Sequence, residues 1–307
     1  MKRVAALDLG TNSFLCLVAE GDADGIKRIV RDEMRIVRLG QELNQRHEFH
    51  PEALKRADQA LSDFRKVIDQ LKVDKVLALA TSAARDAKNK EDFFAIGKKY
   101  DIPLKIISGQ DEARISYRGA TATVNKTGLK KSQALVVDIG GGSTELILGQ
   151  NEKVLFSQSL DIGGVRLTEE IVESQPVTDK VHKQLLQRVE NDLEPALKKI
   201  KEHNVEKIIA VAGTPTALAA AALGEFNPTK IDGFVFKAEE LEEWVLRLKA
   251  TSVEEKISKF KIESGRADII YVGAIILWSI VKNLGIPSIE VSVKGVRYGL
   301  ALELLEN

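Results

Sequence analysis

Runs of apolar residues, some alternating and some at helical spacing, divide the chain into a series of short elements. VAALDLG (4–10) is an apolar run that ends in a turn, and SFLCLVAEG (13–21) returns from it. Together they predict a strand hairpin, which GIKRIVRDEMRIVRL (25–39) continues as strand. PEALKRADQALSDFRKVIDQL (51–71) spaces its apolar residues for one face of a helix, with Pro51 at the first turn. VDKVLALAT (73–81) reads as a buried strand, the stretch after Asn89 as helix to Tyr100, PLKIIS (103–108) as strand and GQDEARISYRGATATV (109–124) as helix. NKTGLKKSQ (125–133) is polar and contains glycine, which makes it the best linker candidate. Beyond it, ALVVDIG and STELILG predict a second hairpin, 178–203 a long helix, and VEKIIAVAG (205–213) a strand running into a helix. Further helices fill 238–284, SIEVSV (288–293) is a strand, and KGVRYGLALELLE (294–306) is a last helix.

Two pairs of these segments match. LDLGTNSFLCLV (7–18) aligns with VDIGGGSTELIL (137–148), placing Asp8 on Asp138, Gly10 on Gly140 and Ser13 on Ser143. KVLALATS (75–82) aligns with KIIAVAGT (207–214). The offsets, 130 and 132 residues, are nearly equal, so the pattern predicts a duplicated domain. Each copy is expected to be α/β, a mixed sheet with helices on both faces. The expected division is 1–125, with the helix at 294–307 packing back on it, and 126–293.

Composition narrows the function. A length of 307 residues suits one or two domains, and 45 basic against 45 acidic residues argue against a broad nucleic-acid footprint. The N-terminal MKRVAALDLGTNS is interrupted by Asp8 too soon for a signal peptide. The longest apolar run, IIYVGAIILWSIV (269–281), is too short to span a bilayer and reads as a buried helix, so no membrane partner is expected. One cysteine, Cys16, and four histidines support neither a disulfide framework nor a zinc site, and a cytoplasmic protein is expected.

The chemistry gathers at the turns. Gly140, Gly141 and Gly142 interrupt a strand pair, and successive glycines let backbone N–H groups converge on an anion. The Ser and Thr hydroxyls nearby add donors. An acid just before such a turn, Asp8 or Asp138, would repel phosphate unless a cation lay between them, which points to Mg²⁺ held partly through water. Glu145, on the return strand, can face the same metal. Helix N-termini after Ala80-Thr81-Ser82 and after Ala212-Gly213-Thr214 add two more anion-favouring ends.

Taken together, ALDLGTNSFLCLV, ALATSAARDAKN, ISGQDEARISYRG, VVDIGGGSTELILG, DIGGVRLTE, AVAGTPTALAA, RADIIYVGAIIL and VKGVRYGLALELL resemble, in order, the exopolyphosphatase / guanosine-pentaphosphate phosphohydrolase family. That family belongs to the actin-like, sugar-kinase and Hsp70 ATPase superfamily. The resemblance implies two duplicated ribonuclease-H-like (actin-like ATPase) domains with a cleft between them, in the short two-domain form. It implies hydrolysis of linear phosphoanhydrides, with inorganic polyphosphate or guanosine pentaphosphate as substrate, Mg²⁺ (or Mn²⁺) as cofactor and a homodimer as the assembly. Glu112 takes the general-base position. Here Ser108 can cap the helix with Asp111 as its partner, and the first turn favours an ionised Glu112. Asp138 and Glu145 match metal-linked acids, with Asp8 in the equivalent place of the first half. Gly10, Thr11, Asn12 and Ser13 match one phosphate loop, and Gly140, Gly141, Gly142 and Ser143 the other, with Gly213 and Thr214 at the later turn. Arg85 matches a basic position associated with the phosphate chain. Arg166 is a weaker candidate, and Lys294 and Arg297 either extend a cationic channel or are solvated.

The chain departs from the family pattern at three places. Val293 stands where an acid is usual, Tyr298 where many members have Glu, and Ala212 where a second glycine is frequent. Two other classes therefore stay open at this stage, a kinase of the same superfamily and a non-catalytic sensor of alarmone or polyphosphate.

Overall fold

A computed structural model describes residues 1–122, 133–151 and 153–306, so the expected linker lies, from 125 to 132, outside the described residues. The chain splits into two compact units, Met1–Gly119 with Val296–Asn307, and Ala120–Gly295.

In the first unit β1 (Lys2–Leu9), β2 (Ser13–Asp22) and β3 (Gly25–Ile36) form an antiparallel meander. The chain continues through α1 (Leu43–Arg46), α2 (Pro51–Gln70), β4 (Lys75–Ala80), α3 (Ser82–Asp86), α4 (Lys90–Lys99), β5 (Leu104–Ile106) and α5 (Gly109–Thr121). β4 lies parallel to β1 and β5 parallel to β4, giving the sheet order β3-β2-β1-β4-β5. The period of two along β1 sorts its side chains between two layers. Ala5, Leu7 and Leu9 pack with Leu61 and Phe64 of α2 and Phe93 of α4. Val4 and Ala6 face the opposite way, toward Ile115 of α5 and toward α14 (Val296–Glu306), which contributes Val296, Leu300, Ala301 and Leu305. Each fully buried Leu or Phe is worth about 1.5–3 kcal/mol relative to exposure. At Gly299 a Cβ would stand 1.9 Å from the backbone oxygen of Ile115, so α14 seats this closely on α5 only because residue 299 has no side chain.

The second unit repeats the plan. β6 (Gln133–Ile139), β7 (Thr144–Gln150) and β8 (Lys153–Leu160) form the meander, followed by α6 (Gly164–Ile171), α7 (Asp179–Ile200), β9 (Val205–Val211), α8 (Gly213–Leu223), α9 (Pro228–Ile231), β10 (Val235–Lys237), α10 (Ala238–Lys249), α11 (Val253–Phe260), α12 (Ser264–Ala267), α13 (Ile270–Leu284) and β11 (Ser288–Val291). The order is β10-β11-β9-β6-β7-β8, with β9 and β11 in the parallel positions that β4 and β5 hold in the first sheet. The registers match as well. Val4 pairs with Lys75 and Asp8 with Leu79 in one sheet; Ala134 pairs with Lys207 and Asp138 with Val211 in the other. This meander plus parallel strands is the ribonuclease-H-like, actin-like domain, present once in each unit. The apolar run at 269–281 lies almost wholly in α13, whose residues Ile270 to Val281 are all buried. No helix among the described residues is long and apolar enough to cross a membrane.

The structure corrects the boundaries in a few places. The helix after Thr81 is only five residues long, so its dipole is much weaker than the sequence suggested. Residues 292–295 belong to neither the strand before them nor the helix after them, because the Asp232 carboxylate gathers that segment instead. It accepts from Ser292 Oγ at 2.9 Å, Val293 N at 3.2 Å and Lys294 Nζ at 2.6 Å.

Candidate active site

In the second unit the turn between β6 and β7 is closed by Gly140 N donating to Ser143 O at 2.9 Å. The DIGG segment lies directly on this turn, since a Cβ on Gly163 would stand 2.5 Å from Gly141 O. Its amides take up the turn's carbonyls. Gly164 N donates to Gly140 O at 3.0 Å, Val165 N and Arg166 N to Gly141 O at 2.8 and 3.0 Å, and Arg166 Nε to Gly142 O at 2.8 Å. In a trans peptide each N–H points opposite to the preceding carbonyl. With the carbonyls of 140, 141 and 142 drawn toward α6, the N–H groups of 141, 142 and 143 are turned to the other side. Those of Gly141 and Gly142 meet no acceptor among the described residues. This is the geometry of a backbone anion nest. Arg166 thus braces the nest through the Gly142 carbonyl.

Asp138 and Glu145 are directly opposed across β6 and β7, so their side chains share a face. Both are buried, Glu145 to 1% exposure. Ser143 Oγ at 2.8 Å and Ser159 Oγ at 2.7 Å both donate to Glu145 Oε1. Ser159, opposite Glu145 on β8, had no signal in the sequence. Among the described residues no group of three or more His, Cys, Asp or Glu is placed to hold a metal by protein ligands alone.

At the end of β9 the two predicted anion contacts diverge. Gly213 opens α8 and is covered by Arg266, whose Nη1 would stand 1.7 Å from a Cβ there. Arg266 is buried, and that burial lowers its pKa below the ordinary arginine value against the pull of Glu263. Sequence reading missed Arg266 because it lies 53 positions from Gly213, from 213 to 266. The Thr214 side chain packs against α13, its Oγ1 2.3 Å from where a Cβ on Gly273 would be. Ala212, between strand and helix, has φ 74° and ψ −165°.

The first unit holds the parallel constellation. Gly10 N donates to Ser13 O at 3.1 Å, the same closure as at 140–143. The carbonyls of Thr11 and Asn12 accept from Gly40 N at 2.9 Å, and from Val37 N and Arg38 N at 3.0 and 2.8 Å. By the same peptide geometry the N–H groups of Asn12 and Ser13 face away from 37–40. Asp8 sits on β1 one turn before, opposite Leu15 where the second copy has Glu145, so the two acids are not equivalent pairs.

Glu112 lies in the first turn of α5 and is buried. Its N–H donates to Ser108 O at 2.9 Å. Ser108 Oγ receives Asp111 N at 3.1 Å and donates to Asp111 Oδ2 at 2.8 Å, so the serine caps the helix while Asp111 bonds its hydroxyl, not its backbone amide. Arg85 Nη1 donates to Glu112 Oε2 at 2.7 Å and to Ile107 O at 3.1 Å. The proposed base and the proposed phosphate arginine are therefore an ion pair.

Lys294 and Arg297 are both tied to acids. Lys294 reaches Asp232. Arg297 grips Asp32 of β3 through Nε at 2.9 Å and Nη2 at 3.0 Å, and Tyr298 Oη reaches the same carboxylate at 3.3 Å. Burial works against the charge of Arg297, but Asp32, with smaller help from Tyr298 and Asp8, holds its pKa above the ordinary value. The acids missing at 293 and 298 thus have carboxylates beside them from elsewhere in each unit: Asp232 on the 292–294 segment, and Asp32 on Arg297 and Tyr298.

Two acid-and-turn constellations on a duplicated actin-like fold, one with an Arg–Glu pair, define a phosphate-handling protein. The chain belongs to the Ppx/GppA phosphatase family, which matches residues 17–307. It is 36% identical to a protein named Exopolyphosphatase 2 from Mycobacterium tuberculosis, over 99% of both chains. A crystal structure of an exopolyphosphatase from Cytophaga hutchinsonii is similar with TM-score 0.90 at 25% identity, covering 99% of this chain and 98% of that one. The Aquifex aeolicus member of the Ppx/GppA family is similar with TM-score 0.80 at 29% identity, covering 99% and 97%.

Proposed function

We propose that the chain releases terminal phosphate from linear phosphoanhydrides, inorganic polyphosphate or guanosine pentaphosphate, by attack of water with Glu112 as general base. The observation that carries the reading is the turned-out amide row of Gly141 and Gly142 beside the buried Asp138–Glu145 pair. The amides receive phosphate oxygens. The acids suit a hard dication that keeps part of its water shell and takes further oxygens from the phosphate chain. Asp138 and Glu145 would hold that Mg²⁺ (or Mn²⁺), with Asp8 the acid on the other copy. When bound, such an ion neutralises charge on phosphate oxygens and draws electron density from phosphorus.

Asn12 and Ser13 amides and Arg85 take the terminal phosphoryl oxygens, and Glu112 accepts the proton of the attacking water. The water oxygen bonds to phosphorus as the bridging P–O bond breaks, and the leaving chain keeps its electron pair. Positioning and charge stabilisation do most of the work in such transfers, and base assistance contributes about 10²–10⁴-fold. The proposed assembly is a homodimer, which analytical ultracentrifugation reads directly, and the proposed location is the cytoplasm.

Phosphate release is to be measured in parallel from long polyphosphate, short polyphosphate and guanosine pentaphosphate, with and without Mg²⁺. Release that requires Mg²⁺ is expected from at least one of them, and Glu112→Gln should abolish it while retaining binding. Tight binding with no turnover would make the protein a sensor. Near-normal turnover by Glu112→Gln would remove Glu112 from the mechanism.

A further inference from the structure

Arg85 leaves α3 in its last turn, and only one of its three nitrogens is engaged. Nη1 spends both of its protons, one on Ile107 O at 3.1 Å and one on Glu112 Oε2 at 2.7 Å. Ile107 is itself fixed at the sheet edge, its N–H donating to Ala80 O at 3.1 Å. The start of α3 is tied down as well, with Ala84 N and Arg85 N both donating to Thr81 O. The guanidinium plane is thereby set by two acceptors on one nitrogen. Of its five N–H donors, the three on Nε and Nη2 meet no acceptor among the described residues. That edge is the one whose two parallel N–H groups match a phosphate or carboxylate.

We infer that Arg85 is a positioning residue for Glu112 as well as a phosphate contact. One nitrogen holds the carboxylate at a fixed distance from the guanidinium, and the opposite edge takes the terminal phosphoryl group. This deepens the hydrolase reading and rests on it. A rigid, planar group that touches both partners sets the distance between them, which loose side chains do not. A lysine at 85 keeps the charge but carries its donors on a single flexible nitrogen, so it can hold the acid or the phosphate, but not both in one plane.

The test compares Arg85→Lys, Arg85→Gln and Glu112→Gln, all as full-length chains in Mg²⁺, on whichever substrate the wild type hydrolyses. Circular dichroism and thiol accessibility of Cys16 confirm folding. For Arg85→Lys, kcat should fall about 100-fold, the cost of displacing a reacting group by about 1 Å. KM should rise about tenfold or more, as expected for a lost charge-assisted contact. Guanidinium ion added to Arg85→Gln should restore kcat at least tenfold. Because Arg85→Gln leaves Glu112 without this partner, that variant can fail to fold; Arg85→Lys then carries the test alone. A change in only one of the two constants, or in neither, overturns the inference. These results leave the hydrolase reading intact as long as Glu112→Gln is inactive. An active Glu112→Gln removes the reading, and with it the inference.

Discussion

Ala212 offers a measurable test of backbone strain at this site. Its φ of 74° and ψ of −165° lie in a region that essentially only glycine occupies. Holding a side chain there costs about 1–3 kcal/mol. Ala212→Gly removes that strain but gives the unfolded chain more freedom, which costs about 0.4–1 kcal/mol. The net expectation is a gain of about 1 kcal/mol, or about 2–4 °C in the midpoint for a unit of this size. The assay is thermal and urea unfolding followed by tryptophan fluorescence. Both tryptophans, Trp244 and Trp278, belong to the unit that contains Ala212, so the signal does not mix in the other unit. Ala221→Gly, inside α8 where the backbone is ordinary, serves as control and should lose about 0.5–1 kcal/mol. If Ala212→Gly falls as the control does, the strain argument is wrong.

Three further outcomes follow from close contacts and buried ionisable groups. Gly299→Ala sets a methyl 1.9 Å from Ile115 O and should destabilise the first unit by about 1–3 kcal/mol or more. Cys16 reports this, because it is buried, with its thiol pushed up to about 12 chiefly by that burial. Iodoacetamide at pH 8 should label it only through unfolding, faster in Gly299→Ala, and equal rates would refute the packing argument. Gly213→Ala directs a Cβ at the guanidinium of the buried Arg266, 1.7 Å away, and should lower the urea midpoint of the second unit; an unchanged midpoint would refute the close seating. Burial lowers the pKa of Lys256 from 10.5 to about 8, against the pull of Glu255, Asp268 and Glu254. The unfolded chain then binds more protons between those values, so stability of the second unit rises with pH from about 8, by about 2 kcal/mol up to pH 9.5. Above that, Tyr271, whose pKa burial raises, opposes the trend. Lys256→Met should flatten the rise in fluorescence-monitored midpoints, and an equal slope in the variant would count against it.

The duplication was legible because it is carried by side chains with no substitute: glycines at tight turns, an acid before each, and apolar strands whose period survives in isolation. The registers Val4–Lys75 and Ala134–Lys207 repeat the offsets visible in the letters. β8 gave no such signal, since its residues 154–159 are half-buried on both sides and do not alternate. The strand β10 is three residues long, too short for any period to show. Within the site, the acids and glycines were visible, but their supports were not. Ser159, Arg266 and Asp32 reach their partners only through pairing across strands or folding of distant segments. The packing of the Thr214 side chain against a glycine on α13 was likewise invisible in the letters.

The apolar layer of Val4, Ala6, Leu17 and Ala19 is covered by Ile107 and Ile115 and by α14, and a ribosome makes α14 only after the whole of the second unit. During synthesis that layer waits half-covered while its later-born neighbour can already close its own core. Nascent chains stalled before Val296 should therefore recruit chaperones, and a protease nick in 292–295 that frees α14 would turn a stable protein into one prone to aggregate. The half made first is the half finished last.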